Sequence, residues 1–277
     1  MRNTALLVGL GLMAASAPTL AGPIFITGHD PDYHAQGSVG AQDLLNVALN
    51  YATSGTYSGG VQKFLFVESD IAPPPGHLIG ENGLNAIGLV EGTNYDEVDA
   101  AGLAALASFS GYSAIVVASD FGGLLTQAEL DELILRKTDI ANFINGGGGL
   151  AAFAECGAGY FNCQADLVTP FANLFGFLPV VVSSVATNSP YSVTPFGALL
   201  GLTNADVNDP THNSFGLIGG LNVVDADAAG APTTLAGNVT IGDNGFNPVP
   251  EPSTLALLSM TLLSLMGLGL MRRRAGA

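Results

Sequence analysis

The chain has little cysteine and few basic residues, and both shortages limit what it can be. Its two cysteines cannot form a disulfide scaffold, so the fold must depend on an apolar core. Lysine and arginine number seven against 23 acidic residues. Such an acidic surface repels nucleic acid and anionic lipid, and it suits a soluble extracellular protein. We therefore predict no nucleic-acid partner and no organic cofactor, with a divalent cation as the ligand that the charge would favour.

The N-terminal segment has the pattern of a cleavable secretory signal. Arg2 gives the positive start, Ala5–Ala15 is a short apolar core, and small residues end at Ala21. The apolar core is too short to span a bilayer unaided. We therefore predict that the mature protein begins at Gly22.

The C-terminal end combines a proline motif, an apolar segment and a basic stop. The motif consists of Val249, Pro250, Glu251 and Pro252. The uncharged segment Ser253–Met271 is long enough for a membrane helix. The stop consists of Arg272, Arg273 and Arg274, which should stay on the cytoplasmic side. The main domain would then lie outside the inner membrane.

Together these three parts resemble the PEP-CTERM (VPEP) sorting signal, which an exosortase recognises and cleaves in Gram-negative bacteria that make exopolysaccharide. The resemblance implies that exosortase and the secretion machinery are partners and that the inner membrane is a transient anchor. It also implies a periplasmic, cell-surface or extracellular mature form, with exopolysaccharide as a candidate partner. A permanent single-span anchor is the alternative interpretation.

The two ends divide the chain into five predicted parts. These are a signal peptide over 1–21, an α/β domain over 22–245, a linker over 246–252, a membrane helix over 253–271 and a basic tail over 272–277. Without the ends, the 23 acidic residues face only Lys63, Arg136 and Lys137, which leaves a charge near −20.

The body of the chain alternates continuous apolar runs with amphipathic segments. The runs, typical of strands buried on both faces, are Ile24–Thr27, Phe64–Val67, Ala114–Ala118 and Leu150–Ala154. The predicted helices are Ala41–Tyr51, Glu97–Phe109 and Thr126–Asn145, the last opening with a capping box. This alternation predicts a three-layer, flavodoxin-like α/β fold with a mostly parallel sheet and helices on both faces. The last third is more irregular and β-rich, with a hairpin from Leu221–Val224 to Thr234–Ile241.

Polar residues follow each of the four predicted strands. They are His29 and Asp30, then Glu68, then Asp120, and finally Glu155 and Cys156. Because the carboxyl ends of parallel strands meet at one edge, where ligands bind in open α/β sheets, we expect these residues to converge. The alternative is that they cap helices and satisfy turns.

The stretch Ala114–Gly159 looks like the class I glutamine amidotransferase-like superfold, and its trehalose-utilisation type is the nearest. In that superfold a cysteine on a sharp strand-to-helix turn is the nucleophile and a later histidine is its base. Cys156 matches the nucleophile, with Glu155 beside it, and His212 is the histidine that follows. The match is degenerate, because Ala154 and Ala158 replace the usual flanking glycines and no His-x-Glu pair follows.

Two further interpretations concern the cysteines and histidines. Cys156 and Cys163 are seven residues apart, which allows a disulfide across a loop but not along one continuous helix. His29 and His34, with nearby carboxylates, are metal-ligand types. Three functions follow, and the first is favoured: a non-catalytic binding or matrix scaffold, a thiol-dependent amide or ester hydrolase using Cys156 and His212, or a metal-binding protein at His29 and His34.

Processing at both ends can be tested by mass spectrometry of the exported protein. We expect Gly22 as the first residue and no peptide from beyond the proline motif, because signal peptidase and exosortase remove the two ends. Glu251→Ala should leave the tailed precursor in the inner membrane, whereas the control Lys63→Gln should be processed normally. An intact chain in the cytosol, with neither end trimmed, would contradict both predictions.

Overall fold

The computed structural model describes residues 21–56, 62–69, 80–120, 125–153, 175–180, 182–184, 189–208, 213–242 and 245–248. The strands are β1 Gly22–Thr27, β2 Phe64–Val67, β3 Tyr95–Val98, β4 Ala114–Val117, β5 Gly149–Phe153, β6 Val182–Ser184, β7 Ser192–Val193, β8 Ser214–Phe215, β9 Asn222–Ala226, β10 Pro232–Gly242 and β11 Gly245–Pro248. The helices are α1 Pro31–His34, α2 Val39–Thr53, α3 Glu81–Ala86, α4 Ala100–Ala105, α5 Gln127–Leu135, α6 Lys137–Asn145 and α7 Pro195–Leu199.

A nine-stranded mixed sheet runs through the centre of the domain. Its first five strands are parallel, in the order β3-β2-β4-β5-β1. Beyond β1 the sheet continues with antiparallel β10, β9 and β7, and β11 also pairs with β10. Strands β6 and β8 form a separate two-stranded sheet. The predicted α/β class is confirmed, with a large central sheet whose parallel region consists of β3, β2, β4, β5 and β1.

Helices cover both faces of β1, β2, β4 and β5, which explains why these four parallel strands are almost entirely apolar. Ile24 and Ile26 of β1 belong to a core cluster with the buried side chains of α5 and α6. Phe25 belongs to a second cluster with the buried side chains of α2. Because successive strand residues point to opposite faces, each apolar run is buried on both sides.

The strand predictions and the α2 prediction agree with the structure to within a few residues, and so does the hairpin of β9 and β10. The capping box is also confirmed, because Thr126 and Glu129 exchange side-chain and backbone hydrogen bonds. Strand β11 occupies part of the segment that was interpreted as a linker and adds it to the sheet. No helix within the described ranges is long and apolar enough to cross a membrane.

The prediction of one helix over Thr126–Asn145 is wrong, because the segment is broken at Arg136 into α5 and α6. The backbone of Arg136 leaves the helical region, with φ −92° and ψ 13°. Its Nη1 donates a 2.6 Å hydrogen bond to the carbonyl of Leu103, and its guanidinium lies 4.3 Å from the ring centre of Phe109. These contacts are tertiary, so the helical periodicity of the segment does not reveal them.

The prediction of a helix over Glu97–Phe109 is also only partly right. Its first residues belong to β3, and the helix α4 is limited to Ala100–Ala105. The break lies at Asp99, whose side chain accepts a 2.7 Å hydrogen bond from the backbone of Gly102 and so caps α4. Strand β3 lies at the edge of the sheet and only Tyr95 in it is buried, so it lacks an apolar run.

The end of α2 lies very close to the start of β5. A Cβ atom added to Gly149 would lie 1.7 Å from the carbonyl oxygen of Ala52, and one added to Gly22 would lie 2.0 Å from that of Gly148. Neither oxygen can move without moving the backbone. The glycines are therefore required by close backbone approach rather than by turn conformation.

Replacing Gly149 tests this packing. Gly149→Ala should lower the free energy of unfolding by about 3 kcal/mol, because the new methyl group has no space beside Ala52. Urea unfolding followed by circular dichroism measures the change. Gly37→Ala is the matched control, because a Cβ there meets nothing within 4 Å, and it should be nearly neutral. Equal stabilities of the two variants would rule out the close approach.

Candidate functional site

The carboxyl ends of β1, β2 and β4 carry the polar residues predicted to converge. His29 and Asp30 follow β1, Glu68 follows β2, and Asp120 lies just beyond β4. All four are buried, with exposed fractions of 0–1%. The edge is therefore closed over these side chains. Asn213 contributes to this closure, because its carbonyl oxygen would lie 2.0 Å from a Cβ added to Gly28.

His29 forms a pair with a carboxylate from the antiparallel half of the sheet. Its Nε2 lies 3.0 Å from Oδ2 of Asp225 on β9, and Thr233 on β10 donates its hydroxyl to the same oxygen. The ring of Tyr191 contacts His29 edge-on, at 5.4 Å between ring centres. Within the described ranges, Nδ1 of His29 has no hydrogen-bond partner. Asp225 thus fixes the orientation of the imidazole and leaves its second nitrogen without a bond.

Asp32 connects α1 to the end of β4. Its Oδ2 accepts a 2.8 Å hydrogen bond from the backbone of Ser119. Burial raises the pKa of Asp32 to about 6, and the hydrogen bonds from Ser119 act in the opposite direction. Asp32 is thus ionised at neutral pH but takes up a proton in mildly acidic solution.

Glu68 connects the end of β2 to the start of α3. Its Oε2 accepts a 2.8 Å hydrogen bond from the backbone of Glu81, the first residue of that helix. Burial raises the pKa of Glu68 to about 10, and the negative charges of Glu97 and Asp32 add to the effect. Glu68 therefore holds a proton at neutral pH, which avoids an uncompensated charge in the interior.

His34 and His29 each lie beside a carboxylate. Nε2 of His34 lies 3.2 Å from Oδ2 of Asp30, one helical turn earlier, whereas His29 contacts Asp225. Within the described ranges, no group of three or more histidine, cysteine, aspartate or glutamate side chains could hold a metal ion. A metal site at His29 and His34 gains no support from this geometry and stays a prediction.

Several other predicted residues lie outside the described ranges. They are Glu155, Cys156, Cys163 and His212, the sorting motif Val249, Pro250, Glu251 and Pro252, and the stop Arg272, Arg273 and Arg274. The nucleophile, the disulfide and the sorting signal therefore stay predictions.

Sequence reasoning missed Asp225, Thr233 and Ser119 as members of this edge. Asp225 had a usable signal, because it is a charged residue within the otherwise largely apolar stretch of β9, and such a residue needs a buried partner. Thr233 and Ser119 gave no such signal, since hydroxyl residues occur in most strands and turns. Their roles depend on the order of strands in the sheet.

No protein-family model, curated protein or solved structure matches the chain. The function must therefore be argued from the residues and their geometry.

The raised pKa of Glu68 predicts how stability depends on pH. The unfolded chain releases this proton near pH 4.5 and the folded chain only near pH 10. Stability is therefore fully present below pH 4.5 and falls as the pH rises toward 10, at a limiting slope of about 1.4 kcal/mol per pH unit. Asp32 adds to the fall between its ordinary pKa of 3.8 and about 6.

Glu68→Gln keeps the shape of the side chain and removes its charge. The variant should match the wild type at pH 4, exceed it in stability at pH 8, and show a flatter profile in urea unfolding. Glu132→Gln, on the half-exposed surface of α5, is the control and should keep the wild-type profile. A Glu68→Gln variant that is less stable than the wild type at pH 8 would show that Glu68 is ionised in the fold.

Proposed function

We propose that this chain is an exported PEP-CTERM protein of the cell surface or extracellular matrix, whose α/β domain is a non-catalytic binding module associated with exopolysaccharide. The observation that carries the proposal is the burial of the described polar side chains at the carboxyl edge. In open α/β sheets that edge is where ligands bind and enzymes place reactive groups. Here the described polar side chains at that edge are buried and hold neighbouring elements together.

The contacts at the carboxyl edge join neighbouring secondary-structure elements. Asp32 ties α1 to the end of β4, and Glu68 ties the end of β2 to the start of α3. The pair of His29 and Asp225 ties β1 to β9. A general acid or base must come within hydrogen-bond reach of its substrate. The 0–1% exposure of His29 and Glu68 gives a substrate no such access.

The ends and the charge of the chain support the location in this proposal. The signal peptide and the sorting tail would take the domain across the inner membrane, and exosortase would then release it from its transient anchor. A body with a charge near −20 stays soluble in that setting and does not adhere to anionic lipid. The parallel half of the sheet is also compatible with a flavodoxin-like domain of the amidotransferase-like type.

One observation favours a second candidate, an extracellular cysteine hydrolase. His29 is oriented by Asp225 and has one nitrogen without a hydrogen bond among the described residues. It follows β1, which pairs with β5, and the sequence after β5 continues to Cys156. An oriented imidazole is what a thiol nucleophile requires of its base. In this alternative His29 is a second candidate for the base, beside His212.

Hydrolysis and binding assays separate the two candidates. We expect the purified chain to hydrolyse p-nitrophenyl acetate no faster than its Cys156→Ser variant, and both to sediment with exopolysaccharide from the producing cells. Protein that stays in the supernatant would contradict the binding proposal. Turnover that is lost in Cys156→Ser would establish the hydrolase instead, and a fall of at least about 100-fold in a folded His29→Gln or His212→Gln variant would identify the base.

A further inference from the structure

The opposite edge of the parallel sheet is open and has different chemistry. Between the ends of α2 and α6 and the starts of β2 and β4 lies a cavity of about 460 Å³. Its wall includes the hydroxyl of Ser54, the amides of Gln62 and Asn142, and the rings of Tyr112 and Phe143. None of the described residues that line this cavity carries a charge.

The cavity continues into a second one of about 280 Å³, with which it shares Ser110, Asn142 and Phe143. We call the two cavities together the amino-edge groove. The second cavity adds the ring of Phe109 and the ion pair of Arg136 and Asp139, whose charges offset each other. The groove is therefore elongated and close to neutral, which suits a chain-like ligand better than a compact ion.

The aromatic side chains of the groove are fixed in place. The hydroxyl of Tyr112 donates a 3.2 Å hydrogen bond to Asp96, and Asp96 is itself paired with Lys63 at 2.7 Å. The ring of Phe143 lies directly over Gly148, where an added Cβ would be 2.3 Å from its Cζ atom. Both rings thus form rigid walls, which lowers the entropy lost on binding.

The amide side chains of the groove are available to a ligand. Gln62 and Asn142 are exposed, and neither side chain makes a hydrogen bond to any other residue in the described ranges. Each amide offers two donor hydrogens and an accepting oxygen. The groove therefore presents neutral donors and acceptors next to apolar ring surfaces.

These properties select the class of ligand. The charged residues in the described lining of the groove are the offsetting pair of Arg136 and Asp139, which leaves no net charge to attract a phosphate, a nucleotide or a metal ion, and a body near −20 repels polyanions. A neutral sugar has hydroxyl groups that both donate and accept, and it has apolar C–H faces that can pack on aromatic rings. We propose that the amino-edge groove binds a segment of a neutral polysaccharide, with Gln62 and Asn142 on its hydroxyl groups and Tyr112 and Phe143 on its C–H faces. This inference deepens the proposed function and rests on it.

Calorimetric titration of the purified full-length chain, kept in a sugar-free detergent, tests the groove. The probes are maltohexaose, cellohexaose and laminarihexaose, with an oligogalacturonate as the acidic comparison. We expect at least one neutral probe to bind, and to bind more tightly than the acidic one. Gln62→Ala and Asn142→Ala should each weaken that binding about fivefold, the value of one lost hydrogen bond.

Three more variants make the result specific to the groove. Tyr112→Ala should weaken binding at least about tenfold, whereas Tyr112→Phe keeps the ring and should bind nearly as the wild type does. Asn85→Ala removes an exposed amide from α3, away from the groove, and should change nothing. Because Gln62 and Asn142 are exposed, their variants report on binding even if Tyr112→Ala fails to fold.

The outcomes distinguish failure of this inference from failure of the proposed function. Binding of a neutral probe that is unchanged in Gln62→Ala and Asn142→Ala overturns the groove as the site and leaves the proposed function intact. Tighter binding of oligogalacturonate overturns the neutral ligand class. Binding of no probe, together with no sedimentation with the producing cells' exopolysaccharide, overturns both.

Discussion

Burial of the parallel strands on both faces is the constraint on which the rest of this structure depends. Strand β1 shows it most clearly, since Ile24, Phe25 and Ile26 are completely buried between parallel β5 and antiparallel β10. A strand that is covered on both sides has no place for a polar side chain along its length. In β1, β2, β4 and β5, polar residues are therefore confined to the strand ends, so these strands place their polar groups at one edge of the sheet or the other.

The two edges of the sheet carry different polar groups. The carboxyl edge holds titratable groups in closed, hydrogen-bonded contacts, and Glu68 avoids the cost of a buried charge by keeping its proton. The amino edge exposes amides, hydroxyl groups and aromatic rings around an open groove. This contrast between the described residues of the two edges is the basis of the proposed binding function. The pair of His29 and Asp225 is the observation that favours the enzymatic alternative.

Glycines make the close contacts near both edges. At the amino edge, Gly148 leaves space for the ring of Phe143, and Gly149 lets β5 meet the end of α2. At the carboxyl edge, Gly28 and Gly83 lie against the backbone carbonyls of Asn213 and Asp32. At each of these glycines a single added methyl group would push apart two elements that are in contact. These glycines are therefore needed for packing and not only for turns.

The sequence by itself determined the four apolar strands, helix α2, the capping box at Thr126 and the position of His29, Asp30, Glu68 and Asp120 just beyond the ends of their strands, because these follow from local periodicity and from where each apolar run stops. The tertiary structure alone decided the break at Arg136, the strand β3 and the pairing of His29 with Asp225, which is 196 positions away. Local patterns record which side of an element is buried. They do not record which distant element covers it, and that neighbour decides whether a polar residue reaches a ligand or a buried partner.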